Sequence, residues 1–322
     1  MRVYRGYSSL LPELEPKSGF GAAVAIGNFD GVHRGHRAVI DRARQHARKL
    51  NAALGVITFE PHPRELLQGA QAPSRLSPLR RKLELLRSIG VDQVHVLPFT
   101  RSLMEISAQS FVEDILIGRL GVRAVITGDN FRFGYKRRGD VDLMRRIGSG
   151  LGVIVDTAPA VEENGQVISS TRIRETLLAG RVAEAALLLG YGYEISGRVR
   201  PGDRRGRTLG FPTANTYPLG RRTAMPGKGI YAVRTAIEED DDGRWHPAAA
   251  SIGTNPTFDG RETRLEVHLL DGMDYDLYGR RLRVSFIDWL RDEERYETVD
   301  ALTAQIRIDC DRALALTLPG QT

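Results

Sequence analysis

The sequence predicts an α/β N-terminal domain built on a parallel sheet, followed by a mainly antiparallel β-barrel C-terminal domain with a terminal helix. Three observations predict it. Short apolar runs alternate with helix-period segments as far as Leu189. From Tyr193 onward, short strand-like runs succeed one another with turn residues between them. Gly190-Tyr191-Gly192-Tyr193 breaks the chain between the two regimes. With 322 residues the chain is long for one core, and we place two domains at residues 1–188 and 189–322.

In the first domain the candidate strands are Ala22–Ile26, Leu54–Phe59, Gln93–Leu97, Ala124–Thr127 and Val153–Val155, each short, apolar and followed by turn residues. Between them Val39, Ile40, Ala43, Ala47 and Leu50 recur at helical spacing. So do Leu79, Leu83, Leu86 and Ile89 behind Ser77-Pro78, and Phe111, Val112, Ile115 and Leu116 behind Ser107. Arg181–Leu189 is a last amphipathic stretch before the break. In the second domain Ile195–Val199, Ile230–Ile237, Ala249–Ile252, Arg264–Leu269 and Leu282–Phe286 read as strands. The acidic run Glu238–Asp242 reads as a solvated hairpin tip between two of them. Val299, Leu302, Ile306, Cys310 and Ala313 form the apolar stripe of a closing helix.

Composition narrows the function classes. The chain is 41% hydrophobic and 27% charged, as globular proteins are. No apolar run approaches bilayer length and the first twenty residues mix charge with proline, so no membrane partner is expected and a cytoplasmic setting is the simplest. A single cysteine, Cys310, excludes an internal disulfide and a thiolate metal cluster, and its place on the apolar stripe assigns it to packing. The net charge of +6 suits nucleotides or nucleic acid. Basic residues scattered among acids rather than gathered in a stripe argue against the second, which would show a steep salt dependence of binding.

The chemistry concentrates in turns. After the first strand come Gly27, Asn28, Phe29, Asp30 and Gly31, then His33 and His36 at the mouth of a helix. Free N–H groups, the positive end of the helix dipole and two imidazoles aimed alike make a phosphate site; an ordinary βα turn with two surface histidines is the plain alternative. Parallel sheets bind ligands beyond the carboxyl ends of their strands, and three further segments lie there. They are Thr58–Pro63, with Glu60 ahead of Pro61 and His62 between Pro61 and Pro63; Gly128–Gly134, with Asp129, Asn130 and Phe131; and Ser169–Arg174, with Ser169, Ser170, Thr171 and Arg174 at a helix start. Taken singly, each is equally a rigid turn, a polar loop or a cap. In the barrel, Gly206, Gly210, Phe211 and Pro212 fix an irregular loop ahead of Thr213 and Asn215, whose side chains point the same way if the segment is extended. A hydroxyl and an amide oxygen suit Mg²⁺, and a capped turn is the alternative. Alternation in Leu265–Leu269 puts Glu266 and His268 on the face opposite Leu265 and Val267, where a solvent-facing glutamate is the usual reading.

GNFDGVHRGH (Gly27–His36) closely resembles the signature of Rossmann-like HxGH nucleotidyltransferases. ISSTRIR (Ile168–Arg174), GRTLGFPTAN (Gly206–Asn215) and LEVHLLD (Leu265–Asp271) narrow the likeness to the bacterial bifunctional riboflavin kinase/FAD synthetase family, from about Ala22 to Asp309. The resemblance implies riboflavin, FMN, ATP and FAD as the molecules handled, with ATP as co-substrate and Mg²⁺ as cofactor. It implies that His33 and His36 contact ATP phosphates beside the Gly27–Asp30 turn, that Asp129–Phe131 hold adenosine and flavin, and that Ser169–Arg174 closes on the triphosphate. It further implies that the Gly206–Pro212 loop binds kinase substrates, that Thr213 and Asn215 hold the metal, and that Glu266 acts as base toward the ribityl hydroxyl. Glu60 and His62 match a more variable loop. Another HxGH adenylyltransferase with an accessory barrel is the rival, and production of FMN from riboflavin separates the two.

Overall fold

The computed structural model describes residues 1–6, 21–202, 206, 209–220, 222–240, 242–257, 260–273 and 275–317, without the side chains of 254–257 and 260–262. Arg207, Thr208 and Asp241 lie outside the described residues. Internal contacts divide the chain into two compact units, Met1–Ser170 and Thr171–Thr322.

The first unit is a six-stranded sheet of β1 (Arg2–Arg5), β2 (Ala23–Ile26), β3 (Leu54–Glu60), β4 (Gln93–Pro98), β5 (Ala124–Gly128) and β6 (Ile154–Ala158). All pairings are parallel, in the order β1-β4-β3-β2-β5-β6. Five strands stand where the apolar runs place them, and all four residues of β2 are buried, as a strand covered on both faces requires. The sequence reading missed β1: it is a half-exposed edge strand whose two arginines leave no apolar run. From β2 the chain proceeds through β3 and β4 to one side and then through β5 and β6 to the other. The order therefore reverses at β2 and β5, and the crevice beyond their carboxyl ends is the place where such sheets bind ligands.

The helices of this unit are α1 (Arg34–Lys49), α2 (Pro63–Gln68), α3 (Leu79–Ser88), α4 (Arg101–Glu105), α5 (Ala108–Ser110) and α6 (Val141–Gly150). On α1 the buried residues are Val39, Ile40, Ala43 and Ala47, as the period predicts. From α5 the chain runs on in wider, π-type turns over Phe111–Arg119 and buries Phe111, Val112, Ile115 and Leu116. The Ser107 hydroxyl caps that start, accepting from Ser110 N–H at 3.0 Å. The α3 face differs from its expected Leu79-Leu83-Leu86 stripe: Lys82, Leu85 and Leu86 are buried while Leu79 and Leu83 are half-buried.

A short antiparallel pair, β7 (Glu162–Glu163) and β8 (Gln166–Val167), follows β6. Next, α7 (Ser170–Leu178), which starts at the last residue of the first unit, and α8 (Val182–Leu189) precede a closed barrel in the second, and α8 ends on Gly190 in the left-handed conformation, φ 77°. The barrel runs β10 (Ala214–Pro218), β13 (Gly260–Leu269), β12 (His246–Thr257), β11 (Gly229–Ile237), β14 (Arg281–Arg291), β9 (Glu194–Arg200) and back to β10, every pairing antiparallel. Inward-facing Ile195, Val199, Leu265, Val267, Leu282, Val284 and Phe286 are buried. The strand β10 was not foreseen, because its polar Asn215 and Thr216 are buried only through pairing with β9 and β13. The helix α9 (Val299–Thr317) packs Ala313 against Ala232, Ala249 and Leu290. Its stripe begins later than expected: Val299, the first residue, is 61% exposed, and Cys310 is half-buried. No helix among the described residues is long and apolar enough to cross a membrane.

Candidate active sites

The turn after β2 holds Phe29 at φ 48°, Gly31 at 85° and Val32 at 40°. Non-glycine residues keep such angles only when their surroundings impose them, and the anchors are visible. The Asn28 carbonyl accepts from Thr58 Oγ1 at 3.1 Å and Lys82 Nζ at 2.7 Å. The Asp30 carboxylate, 3% exposed, accepts from the N–H groups of Leu76 and Ser77 at 3.2 and 3.0 Å. Ser77 Oγ accepts from Gly31 N–H at 2.8 Å, so the hydroxyl expected to start α3 serves this turn, and Ser170 Oγ donates to the Asp30 carbonyl at 2.9 Å. Burial pushes the Lys82 ammonium down to about 8, against the pull of Asp30.

His33 is buried and caps α1: its Nδ1 accepts from His36 N–H at 3.3 Å, which places the ring proton on Nε2. The two imidazoles stack with centroids 3.5 Å apart and planes 19° from parallel, and the Phe29 ring meets His36 edge-on at 5.3 Å. A Cβ on Gly35 would lie 3.2 Å from the His33 ring and 3.4 Å from the Ile168 carbonyl, so a side chain here would crowd the imidazole. No acidic residue stands in the first turn of α1 to offset its positive end. Asp129 and Asn130 are exposed at the carboxyl end of β5, beside β2 in the sheet, and half-buried Phe131 stacks on Phe133 at 5.8 Å. Ser169 and Ser170 close the first unit, whereas Thr171 and Arg174 stand on α7 in the second. Glu60 and His62 are engaged locally. Arg75 bridges Glu60 (both bonds 2.8 Å) and Glu65 (2.5 and 2.8 Å), and the His62 ring caps α2 by accepting from Arg64 N–H at 3.1 Å. Burial alone would lower the Arg75 pKa, but the two carboxylates outweigh it and raise the value above the usual arginine range.

In the barrel, pairing of β10 with β13 sets Asn215 directly opposite Glu266, and Ser251 of β12 flanks Glu266 on its other side. Glu266 faces a cavity of about 310 Å³ between the barrel and α9, with Thr213, Ser251, Arg291 and Cys310 among its walls. Thr213 also borders a second cavity, of about 640 Å³, together with Pro212, Tyr275 and Tyr278. His268 Nδ1 donates to the Pro212 carbonyl at 2.7 Å, and Phe211 packs edge-on against the same ring at 5.7 Å, which holds the loop. Gly210 turns that loop at φ 84°, and a Cβ on Gly206 would meet the Phe211 carbonyl at 2.4 Å. Thr213 is exposed, while Asn215 is buried and its Oδ1 has no hydrogen-bond partner among the described residues. A buried amide oxygen without a donor is costly unless water or a cation completes it. Such a hard neutral oxygen fits Mg²⁺, and no group of three His, Cys, Asp or Glu among the described residues offers an alternative metal site.

A family model described as FAD synthetase matches residues 15–172, and one described as riboflavin kinase matches 189–317. A bifunctional riboflavin kinase/FMN adenylyltransferase of Escherichia coli K12 is 43% identical over 309 residues, 96% of each chain. One of Pseudomonas fluorescens is 42% identical over 321 residues, 99% of each. The chain belongs to the bifunctional riboflavin kinase/FMN adenylyltransferase family. A solved Streptococcus pneumoniae protein titled macrolide-efflux protein shares the fold, with a TM-score of 0.85 and 30% identity over 97% of this chain and 99% of that one. The transport role in that title is said of that protein.

Sequence reasoning missed several residues that border these two sites. Arg291 donates to both oxygens of Asp309, at 2.7 to 3.0 Å, and so ties α9 to β14 at the wall of the Glu266 cavity. Nothing in the local sequence of either residue signals that pair. Lys82 did leave a signal, since it precedes Leu85, Leu86 and Ile89 by three, four and seven positions and so falls on an apolar helix face.

Proposed function

We propose that the chain makes FMN and then FAD at two independent sites, with residues 1–188 as adenylyltransferase domain and 189–322 as kinase domain. The observation that carries the kinase reading is the cross-strand pair of Asn215 and Glu266. Glu266 takes the proton of the riboflavin 5′-hydroxyl, whose oxygen attacks the γ-phosphate of ATP, and ADP leaves. Thr213 and Asn215 would hold Mg²⁺, which when bound neutralises charge on the ATP phosphates. Thr213 borders both cavities, which suits a flavin beside Glu266 and a nucleotide in the larger space, with the transferred phosphate between them.

In the first unit the FMN phosphate attacks the α-phosphate of a second ATP and pyrophosphate leaves. The nucleophile is already ionised, so no strong base is required and the barrier is the build-up of negative charge. The N-terminus of α1, Nε2–H of His33 and the ring of His36 are arranged to oppose that charge. Asp129–Phe131 and Ser169–Ser170 are further substrate contacts, and the cytoplasm is the proposed setting. Incubation with riboflavin, ATP and Mg²⁺ followed by chromatography tests the reading: FMN appears first and FAD after it. A preparation that forms neither sinks it.

A further inference from the structure

Two donors from outside the GNFDG turn reach the same oxygen. The Asn28 carbonyl accepts from Lys82 Nζ and Thr58 Oγ1, and Lys82 Nζ also lies 3.3 Å from Thr58 Oγ1. Lys82 is 1% and Thr58 0% exposed, so this clamp sits beneath the turn and out of water. A trans peptide is planar, and its C=O and N–H point in opposite directions. Drawing the Asn28 oxygen toward the core therefore turns the Phe29 N–H the other way. That N–H donates to no described residue, in a segment where a buried donor without a partner is costly. A carbonyl can be held by a neutral donor at far lower desolvation cost than by a buried ammonium. The charge itself therefore calls for a reason, and it polarises the Asn28–Phe29 peptide in the sense that makes its N–H a stronger donor.

We infer that Lys82 is a positioning residue for adenylyl transfer: by holding the Asn28 carbonyl it presents the Phe29 N–H to the phosphate oxygen that gains charge as the transfer proceeds. The inference rests on the assignment of the first unit to FAD formation. Lys82 does not touch substrate; it acts through the peptide and through its own charge behind the turn. Asp30 of the turn, Glu60 of β3, Glu65 of α2 and Arg75 are the charged groups that act on it.

The test measures FAD formation from supplied FMN and ATP by the full-length wild type, Lys82→Met, Lys82→Gln and Thr58→Val. FMN formation from riboflavin is followed in the same preparations. For Lys82→Met we expect kcat for FAD to fall on the order of tenfold to a hundredfold. The KM for ATP should stay within about twofold and FMN formation should be intact. Lys82→Gln, which keeps a neutral donor, should recover part of the rate, and Thr58→Val should lose about threefold or more. The alkaline change in FAD formation near the depressed Lys82 value should vanish in Lys82→Met. A Lys82→Met kcat within about threefold of wild type, or a loss confined to KM, overturns the inference. If Lys82→Met does not fold, Thr58→Val decides alone, and an unchanged kcat overturns it. A wild type that makes no FAD from FMN would instead overturn the assignment of the first unit.

Discussion

The two phosphate-handling regions solve different problems with different parts of the chain. In the first unit the attacking group is a phosphate that already carries charge, and the proposed site gathers donors and positive potential: a helix mouth, two stacked imidazoles and a buried ammonium beneath the turn. In the barrel the attacking group is a hydroxyl, and the proposed site centres on a carboxylate set opposite a buried amide. The comparison teaches that the protonation state of the nucleophile decides which residue types a phosphate site needs. An ionised nucleophile asks for positive potential and a neutral one asks for a base.

The contrast can be broken most forcefully at Glu266. Removing the base in Glu266→Gln should cut riboflavin phosphorylation on the order of a hundred- to ten-thousand-fold, while supplied FMN is still converted to FAD. Unchanged kinase turnover would remove Glu266 from that role. The mirror experiment is His36→Ala, expected to lower FAD formation on the order of a hundredfold with FMN formation intact; equal loss of both activities would contradict two independent sites. A smaller effect sharpens the metal assignment. Asn215→Ala should raise the Mg²⁺ concentration needed for half-maximal FMN formation by about tenfold, and a titration curve that does not move would release Asn215 from the metal.

The smallest effect separates the units by stability. Burial pushes His95, on β4 and stacked on Tyr4, down to about 4 from 6.5, so the folded first unit keeps it neutral. Below 6.5 the unfolded chain binds a proton that the folded chain refuses, and the stability present above that pH is lost as pH falls toward 4. The loss should be about 1 kcal/mol near pH 5.5, read as a lowered denaturation midpoint of the first unit. His95→Phe keeps an aromatic ring beside Tyr4 and should flatten this acid dependence. An unchanged slope would show that another group carries it.

Legibility followed locality. The turn from Gly27 to His36 could be read because one contiguous segment supplies strand end, glycines, imidazoles and helix start. Glu266 was named through its resemblance to a family segment, since alternation alone puts it on a face and cannot say whether water or α9 lies over that face. Three other readings moved for physical reasons. Ser77 spends its hydroxyl on Gly31. Cys310 borders a cavity instead of filling a core. Polar Asn215 and Thr216 became a strand because two neighbours pair with it.

The sequence by itself determined the two regimes of element, the first helix with its buried face, and the two glycine-rich loops proposed to carry the chemistry. Backbone propensity and hydrophobic period act over a few residues, so they are written locally. Only the tertiary structure decided that Asn215 and Glu266 stand opposite each other, that Arg291 clasps Asp309, and that a lysine on α3 lies beneath the turn after β2. Those facts depend on strand register and on burial by distant segments, and a buried charge is held in place only by partners that the local sequence does not contain.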